Sequence, residues 1–404
     1  MKSKKILIVC DHFSPQSGAQ ALQATKVADA LFAAGCDVHV ICGVPQIESD
    51  RREYPVDSVV SSPYGEGGGI FQRITRRIRH EIHETDRDND WVRRMLVKTI
   101  EVASVVRPDV IMTQSTPFRT HLIGLSLPFE MRRKWVAYFS DVWPLRLAPY
   151  PYRTAISNVF SIVQLRYLER VVRTAQKIIM SSDESIEVIK NRFPNVGEEK
   201  LFSVAHIGRL ADVIPAVSID AEHYASRFVH VGRLTRERTC PELIRALRSI
   251  VSTTSKRGER FPGFTFVGWV DAGFQESCRD LVERNIVEFV GDVDPAVAQS
   301  ICAAAGVLVV IEANMAKSPF LPSKFSDYAM LGKPIMAISP PGPVRNFLST
   351  FGGGVAVGHD VSEIEGAMAA LLQSGGTDQT ETSCLARQFN SSHIAQRYLE
   401  IFER

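Results

Sequence analysis

The sequence lacks any hydrophobic run long enough to cross a membrane. A spanning helix needs about 20 consecutive, mainly apolar residues, and no segment of the 404 residues approaches that length. The first residues pass from lysines directly into a strand-like run without a cleavage site, so no secretory leader is expected. These absences predict a protein of the cytoplasm.

The sequence also lacks paired cysteines. Its seven cysteines lie scattered, mostly among apolar neighbours, with no histidine at a metal-ligand spacing. We therefore expect reduced, buried thiols, with neither a metal site nor a bound cofactor. They are Cys10, Cys36, Cys42, Cys240, Cys278, Cys302 and Cys384.

An excess of charge of one sign is missing as well. The 47 basic and 45 acidic residues leave a net charge of +2, which provides no electrostatic basis for binding nucleic acid. The fingerprint G-x-G-x-x-G does not occur, which disfavours an NAD site. A hydrophobic content of 45% with 23% charged residues is typical of a globular protein.

The length predicts two or three domains, at roughly 150 residues per domain. Residues 5–10 read as a buried strand, followed by a loop, a helix and a second strand, which is the start of a Rossmann-like unit. Gly18 in that loop would let the backbone approach a ligand. A second such start follows at residues 228–247, where Gly232 turns the chain after a strand.

The segment around residues 304–345 is the most informative in the chain. An apolar run at 304–312 reads as a strand buried on both faces, and the next loop contains Pro319 and Pro322. Ser323 is predicted to be the N-cap of a helix that ends at Gly332.

A helix start at this position suits an anion. Its amides and dipole favour phosphate, Lys324 adds a full positive charge, and Asp327 could accept hydrogen bonds from a sugar diol. The alternative is that Lys324 and Asp327 belong to a solvated helix face. Arg233 and Arg238 lie in the loop after the second Rossmann-like strand, and they could converge on a pyrophosphate or belong to a solvated loop.

A basic segment interrupts the first half. Isoleucines recur at every fourth position with arginines between them, after a glycine-rich stretch at 65–69. The pattern predicts a basic amphipathic helix, which either packs on the sheet or contacts an anionic membrane surface or a lipid-linked acceptor. These residues are Ile70, Ile74, Ile78, Ile82, Arg73, Arg76, Arg77 and Arg79.

The segment PSKFSDYAMLGKPIMA resembles the nucleotide-sugar-binding segment of glycosyltransferase family 4, in the variant with P-S-K, an acidic residue with Tyr, and G-K-P. Asp141, Trp143 and Pro144 resemble the family's Asp-x-Trp-Pro strand end, and the resemblance covers nearly the whole chain. It implies an α/β GT-B fold, in which two Rossmann-like doubly wound domains face a cleft. The implied parts are an acceptor-side domain at 1–205, a donor-binding domain at 206–385 and a helix at 386–404 that crosses back to the first domain.

The resemblance also implies roles for individual residues. The catalytic cations would be Arg233, Arg238 and Lys324. The donor would contact Gly18, Gly232, Ser323 and Asp327. The acceptor side of the cleft would contain Ser115, His121 and Asp141.

The chain departs from the family pattern at several of these positions. Arg238 stands where lysine is usual, and Pro319 replaces the first of two glutamates whose second position aligns with Asp327. Many members of the family carry a histidine in or near the loop that is occupied here by Gln114 and Ser115. His121 lies a little further along the chain, and two interpretations stay open, that it replaces this histidine or that it has another role.

The implied activity is retaining, metal-independent transfer of a sugar from a nucleotide-sugar to a glycan or polyprenyl-linked acceptor, in polysaccharide or glycolipid assembly. Such an enzyme would work in the cytoplasm or on the inner face of the membrane. Two alternatives stay open, namely a sugar-nucleotide epimerase or hydrolase of the same architecture and a non-catalytic nucleotide-binding protein.

Overall fold

The computed structural model describes residues 3–16, 18–46, 52–60, 85–86, 89–153, 155–209, 217–373 and 379–404. The predicted basic helix and the glycine-rich stretch before it lie outside the described residues. The chain forms two compact units, which are described separately below. Unit 1 comprises Met1–Ala148, Arg153–Ala205 and Ser391–Arg404, and unit 2 comprises Pro149–Tyr152 and His206–Asn390.

Unit 1 contains a seven-stranded parallel sheet in the order β3-β2-β1-β4-β5-β6-β7. The sequence of β1 explains its central place, since Ile6, Leu7, Ile8 and Val9 are all completely buried, as in a strand covered on both faces. The strands are β1 (Lys5–Cys10), β2 (Asp37–Cys42), β3 (Val56–Ser58), β4 (Val110–Ser115), β5 (Trp135–Phe139), β6 (Lys177–Met180) and β7 (Leu201–Ser203).

Helices connect these strands, as parallel pairing requires. They are α1 (Ala19–Ala33), α2 (Asp90–Val106), α3 (Arg119–Ser126), α4 (Phe129–Arg132), α5 (Ala155–Thr174) and α6 (Asp183–Arg192), with 3-10 turns at Leu145–Leu147 and Glu198–Lys200. Directly after β1, Asp11 forms a buried ion pair of 2.5 Å with Arg119 of α3. The Arg119 guanidinium also lies 4.4 Å above the Trp91 ring.

Unit 2 contains a six-stranded parallel sheet in the order β10-β9-β8-β11-β12-β13. In both sheets the first strand of the unit is the third from one edge, with later strands on both sides of it, which is the doubly wound arrangement. The strands are β8 (Phe228–Val231), β9 (Phe264–Val267), β10 (Val287–Gly291), β11 (Val307–Ile311), β12 (Ile335–Ile338) and β13 (Gly354–Val357).

The helices of unit 2 surround this sheet. They are α7 (Ala221–Tyr224), α8 (Pro241–Lys256), α9 (Ala272–Ser277), α10 (Arg279–Glu283), α11 (Pro295–Ala304), α12 (Ser323–Met330), α13 (Pro343–Phe351), α14 (Val361–Gln373) and α15 (Gln379–Phe389), with a 3-10 turn at Arg236–Arg238. Phenylalanines pack against one another in the core on one face, and the tilted rings of Phe264 and Phe266 lie 4.6 Å apart between centroids.

The last helix, α16 (Ser391–Glu403), belongs to unit 1 and packs against α1. Its buried side chains include Ile394, Tyr398 and Ile401, and the buried Lys177 ammonium donates to the Ile401 carbonyl. No helix among the described residues is both long and apolar enough to span a bilayer.

Three predicted element boundaries are wrong. The apolar residues over 118–129 predict one helix, but α3 ends at Ser126, because Pro128 forces Leu127 into an extended conformation (φ −58°, ψ 147°) before α4 begins. The single helix expected over 386–404 is broken at Asn390, where the Phe389 carbonyl accepts a hydrogen bond from the Gly208 amide. Ser323 is the first residue of α12 rather than its N-cap, which is Pro322 in an extended conformation.

Candidate functional site

The candidate site is built where β8 and β11 end and α12 begins. Gly232 follows β8 with φ +116°, a conformation that side chains other than glycine rarely adopt. A Cβ atom there would also lie 2.8 Å from the Lys324 ammonium nitrogen. The turn after β8 therefore needs a glycine both for its backbone and to admit the lysine.

Lys324 leaves the first turn of α12 and is half-buried. Its Nζ lies 3.3 Å from Nε2 of His230, a completely buried residue of β8. Burial lowers the pKa of the Lys324 ammonium to about 7, and the positive charge of Arg238 acts in the same direction. Lys324 and Arg238 therefore lie close enough for the charge of the arginine to affect the protonation of the lysine.

Arg238 is held by a residue from a distant part of the sequence. Its Nε donates to the Tyr152 hydroxyl at 2.9 Å, and Tyr152 packs edge-on against Phe320 at 5.3 Å between ring centroids. Tyr152 comes from the short segment Pro149–Tyr152, which packs in unit 2 although its chain neighbours belong to unit 1. Neither Lys324 nor Arg238 has a carboxylate partner within the part of the chain that the structure describes.

Helix α12 is fixed to β8 and to the start of unit 2. The buried Tyr328 hydroxyl accepts from the Val231 amide at 2.9 Å, so the helix start stays beside the strand end. Asp327 Oδ1 accepts from the Arg209 amide at 2.8 Å. Asp327 thus has a structural role, and its predicted contact to a sugar diol of the donor remains a prediction.

Arg233 and Ser323 occupy more open positions. The exposed Arg233 guanidinium lies 5.5 Å from the centroid of the Trp269 ring, which is itself 42% exposed. Ser323 is half-buried at the first position of α12, without a side-chain capping bond. The roles predicted for both residues remain predictions.

The residues predicted in unit 1 have different environments. Gly18 precedes α1 with φ −66° and open space where a Cβ would stand, so nothing in the described fold requires glycine there. Asp141 is exposed after the end of β5, whereas Ser115 at the end of β4 is buried and directs its hydroxyl to the Tyr138 carbonyl at 3.4 Å.

His121 does not fit its predicted position beside a cleft. The side chain is completely buried, its Nδ1 lies 2.8 Å from the Thr113 hydroxyl, and the Phe139 ring packs 4.2 Å away. Burial lowers the pKa of His121 to about 3, so the imidazole is neutral near pH 7. In this structure His121 is a residue of the hydrophobic core.

Two residues of the site were missed in the sequence. His230 stands in the middle of an apolar strand, where the only available signal was a polar residue two positions before Gly232. Tyr152 lies more than 80 positions before Arg238, and only the folded chain brings them together. Among the described residues, no group of three or more histidine, cysteine, aspartate or glutamate side chains could hold a metal ion.

Solved structures share this fold along nearly the whole chain. HepE from Anabaena, determined in complex with UDP, is 16% identical with a TM-score of 0.64 over 98% of each chain. WaaG, a glycosyltransferase involved in lipopolysaccharide biosynthesis, is 13% identical with a TM-score of 0.56 over 97% of this chain and 95% of its own. A putative UDP-N-acetylglucosamine 2-epimerase from Listeria monocytogenes is 10% identical with a TM-score of 0.57 over 98% and 95%.

At these identities the likeness shows the fold alone. It confirms the predicted fold class, an α/β protein with two Rossmann-like doubly wound domains of the GT-B type. No family model and no curated protein matches the sequence, so membership of glycosyltransferase family 4 remains a prediction.

Proposed function

We propose that this protein is a retaining glycosyltransferase that moves a sugar from a nucleotide-sugar donor to a glycan or lipid-linked acceptor. The fold supports this proposal, since solved proteins of the same fold include glycosyltransferases and one was determined with UDP. The family resemblance of the segment around Lys324 supports it independently. Assembly of a polysaccharide or glycolipid is the process that this resemblance suggests.

One observation carries the proposal. Lys324 and Arg238 are like charges in one neighbourhood, no carboxylate pairs with either among the described residues, and the lysine loses its proton near neutral pH. Such an arrangement is unfavourable until an anion joins it. A donor diphosphate carries the matching charge, and the start of α12 adds amides and a helix dipole beside it.

The proposed chemistry needs cations more than a carboxylate nucleophile. The bond from the anomeric carbon to the diphosphate breaks, and a bond to the acceptor oxygen forms on the same face of the sugar. The acceptor's proton passes to the departing phosphate oxygen. Lys324 and Arg238 stabilise the negative charge that develops on the diphosphate, together with Arg233, which follows β8 as Arg238 does.

A screen of donors tests the proposal. Thermal shift and turnover are measured with UDP-, GDP- and dTDP-sugars, with and without glycan or polyprenyl-linked acceptors. The expected result is a raised melting temperature with one nucleotide class and release of its nucleoside diphosphate that depends on an acceptor.

The same assay separates the main alternative. A neighbour described as an epimerase shares the fold, and an epimerase or hydrolase would convert the donor without any acceptor. Product formed at equal rates with and without acceptor would favour that alternative. Binding without turnover of any donor would favour a non-catalytic nucleotide-binding protein.

A further inference from the structure

His230 is a buried imidazole with both ring nitrogens engaged. Nδ1 lies 2.9 Å from the Val309 carbonyl of the neighbouring strand β11, and Nε2 lies 3.3 Å from Lys324 Nζ. A carbonyl oxygen can only accept, so Nδ1 carries the proton. Nε2 is then an acceptor, and Lys324 donates to it.

The surroundings keep this ring in its neutral form. Burial lowers the pKa of His230 well below its usual value, and the charge of Lys324 acts in the same direction. The Phe266 ring packs 6.0 Å from the imidazole on the core side. The imidazole therefore presents a lone pair toward Lys324 throughout the neutral pH range.

A lysine at this position needs such a partner. Its stem has four rotatable carbons, so an ammonium without an acceptor samples many positions. Nε2 of His230 accepts from the ammonium, and Gly232 leaves room for it because a Cβ atom is absent there. Together these two residues limit Nζ to the space at the end of β8. Apolar residues would pack a central strand equally well, so packing alone does not account for a histidine there.

We infer that His230 is a positioning residue, which holds the Lys324 ammonium in place for the diphosphate of the donor. The inference deepens the proposed function and rests on it. His230 does not touch the substrate in this scheme, and it acts only through Lys324.

Two substitutions separate the two hydrogen bonds of the ring. In His230→Asn the amide nitrogen can replace Nδ1 and keep the bond to Val309, but the side chain is too short to reach Lys324. In His230→Gln the longer side chain can offer an oxygen at the position of Nε2. Affinity for UDP, GDP and dTDP is measured by calorimetry for the wild type and both variants.

The expected result follows from the loss of a hydrogen bond to a charged group. His230→Asn should weaken binding of the preferred nucleoside diphosphate by about tenfold to a hundredfold, whereas His230→Gln should restore most of the affinity. In a Lys324→Met background, His230→Asn should cause no further loss, because its effect passes through Lys324. Equal losses in both backgrounds would overturn the inference and show a structural role.

If a variant does not fold, NMR of the wild-type protein still tests the inference. Nitrogen NMR of the His230 ring should show the neutral form with the proton on Nδ1 between about pH 6 and 8, near the ordinary pKa of histidine. A proton on Nε2 would contradict the inference. Wild-type protein that binds none of the three nucleotides would instead refute the proposed function, and the inference with it.

Discussion

The two cations of unit 2 are the residues on which the proposed activity depends most directly. Lys324 lies in the first turn of α12 and Arg238 in the 3-10 turn after β8, and each contacts a buried or half-buried partner, His230 and Tyr152 respectively. Long, flexible side chains that are fixed in advance lose less freedom when a ligand binds. A diphosphate bound as proposed would therefore meet two cations whose positions are already defined.

Removing either cation should slow the reaction. Lys324→Ala and Arg238→Ala are each expected to lower turnover by about 10²–10³, the order seen when a preorganised group that stabilises developing charge is removed. Steady-state turnover of the donor found in the screen measures this. Arg279→Ala on the exposed face of α10 is a matched control and should leave turnover unchanged. A double variant with wild-type turnover would contradict the assignment.

The pH dependence of donor binding should report the protonation of Lys324. The pKa of its ammonium is about 7 without ligand, and a bound diphosphate favours the charged form and so raises this pKa. Affinity should thus be highest below pH 7 and decline above it, by at most about tenfold per pH unit, until the pKa of the complex is passed. Calorimetric titrations with the nucleotide-sugar from pH 6 to 9 measure the decline.

A substitution supplies the control for this pH dependence. Arginine keeps its proton throughout this range, so Lys324→Arg should give a flat profile between pH 6 and 9. The neighbouring His230 cannot cause the decline, since its pKa is well below the ordinary value and it stays neutral. A Lys324→Arg profile that falls like the wild type would assign the titration to another group.

At this scale the sequence predicted the cations but not their partners. A loop with two prolines and a helix start precede Lys324, and this local pattern predicts a site role for Lys324 that stays a prediction. His230 and Tyr152 act through contacts across 94 and 86 positions of the chain, which no local pattern encodes. The burial of His121 was missed for the same reason, because it depends on Phe118 and Phe139 packing around the ring.

At the scale of elements, continuous apolar runs predicted the central strands well. β1, β8 and β11 are buried on both faces, and this leaves a signal that does not depend on the rest of the fold. Helix ends were harder to predict, because Pro128 and Asn390 interrupt segments whose apolar spacing continues across them. At the break before Asn390, the Phe389 carbonyl accepts from the Gly208 amide, a tertiary contact that no local pattern encodes.

The terminal helix α16 should stabilise unit 1. Tyr398 is 1% exposed, and Ile394 and Ile401 are buried on the same face. Tyr398→Ala removes a large buried ring, so it should lower the free energy of unfolding by about 3–5 kcal/mol, as other aromatic truncations in cores do. Urea unfolding followed by circular dichroism measures this. Arg397→Ala on the exposed face of the same helix should change it by no more than about 0.5 kcal/mol.

On the scale of the whole molecule, charge is balanced in total but not along the sequence. The net charge is +2, yet Arg73, Arg76, Arg77 and Arg79 lie within seven residues. Isoleucines at every fourth position would line one stripe of a helix, with the arginines flanking it. An anionic membrane surface matches both features, and under the proposed function this contact would bring the protein to a lipid-linked acceptor.

We expect the wild-type protein to co-sediment with liposomes that contain anionic lipid, and to be released by salt. Each basic residue near such a surface contributes about 1 kcal/mol. Changing the four arginines to glutamine should therefore abolish binding. If the arginines flank the isoleucine stripe as the sequence predicts, the melting temperature should stay the same, because solvated arginines contribute little to folding.

A matched variant distinguishes this segment from a general effect of charge. Four exposed arginines of unit 1 are replaced by glutamine in the control, which changes the net charge by the same amount and should keep the liposome binding. They are Arg166, Arg170, Arg173 and Arg192. If both variants lose binding equally, the attraction comes from total charge rather than from the segment. If the wild type does not bind anionic liposomes at all, the membrane interpretation is wrong, and packing on the sheet remains as the interpretation of the isoleucine pattern.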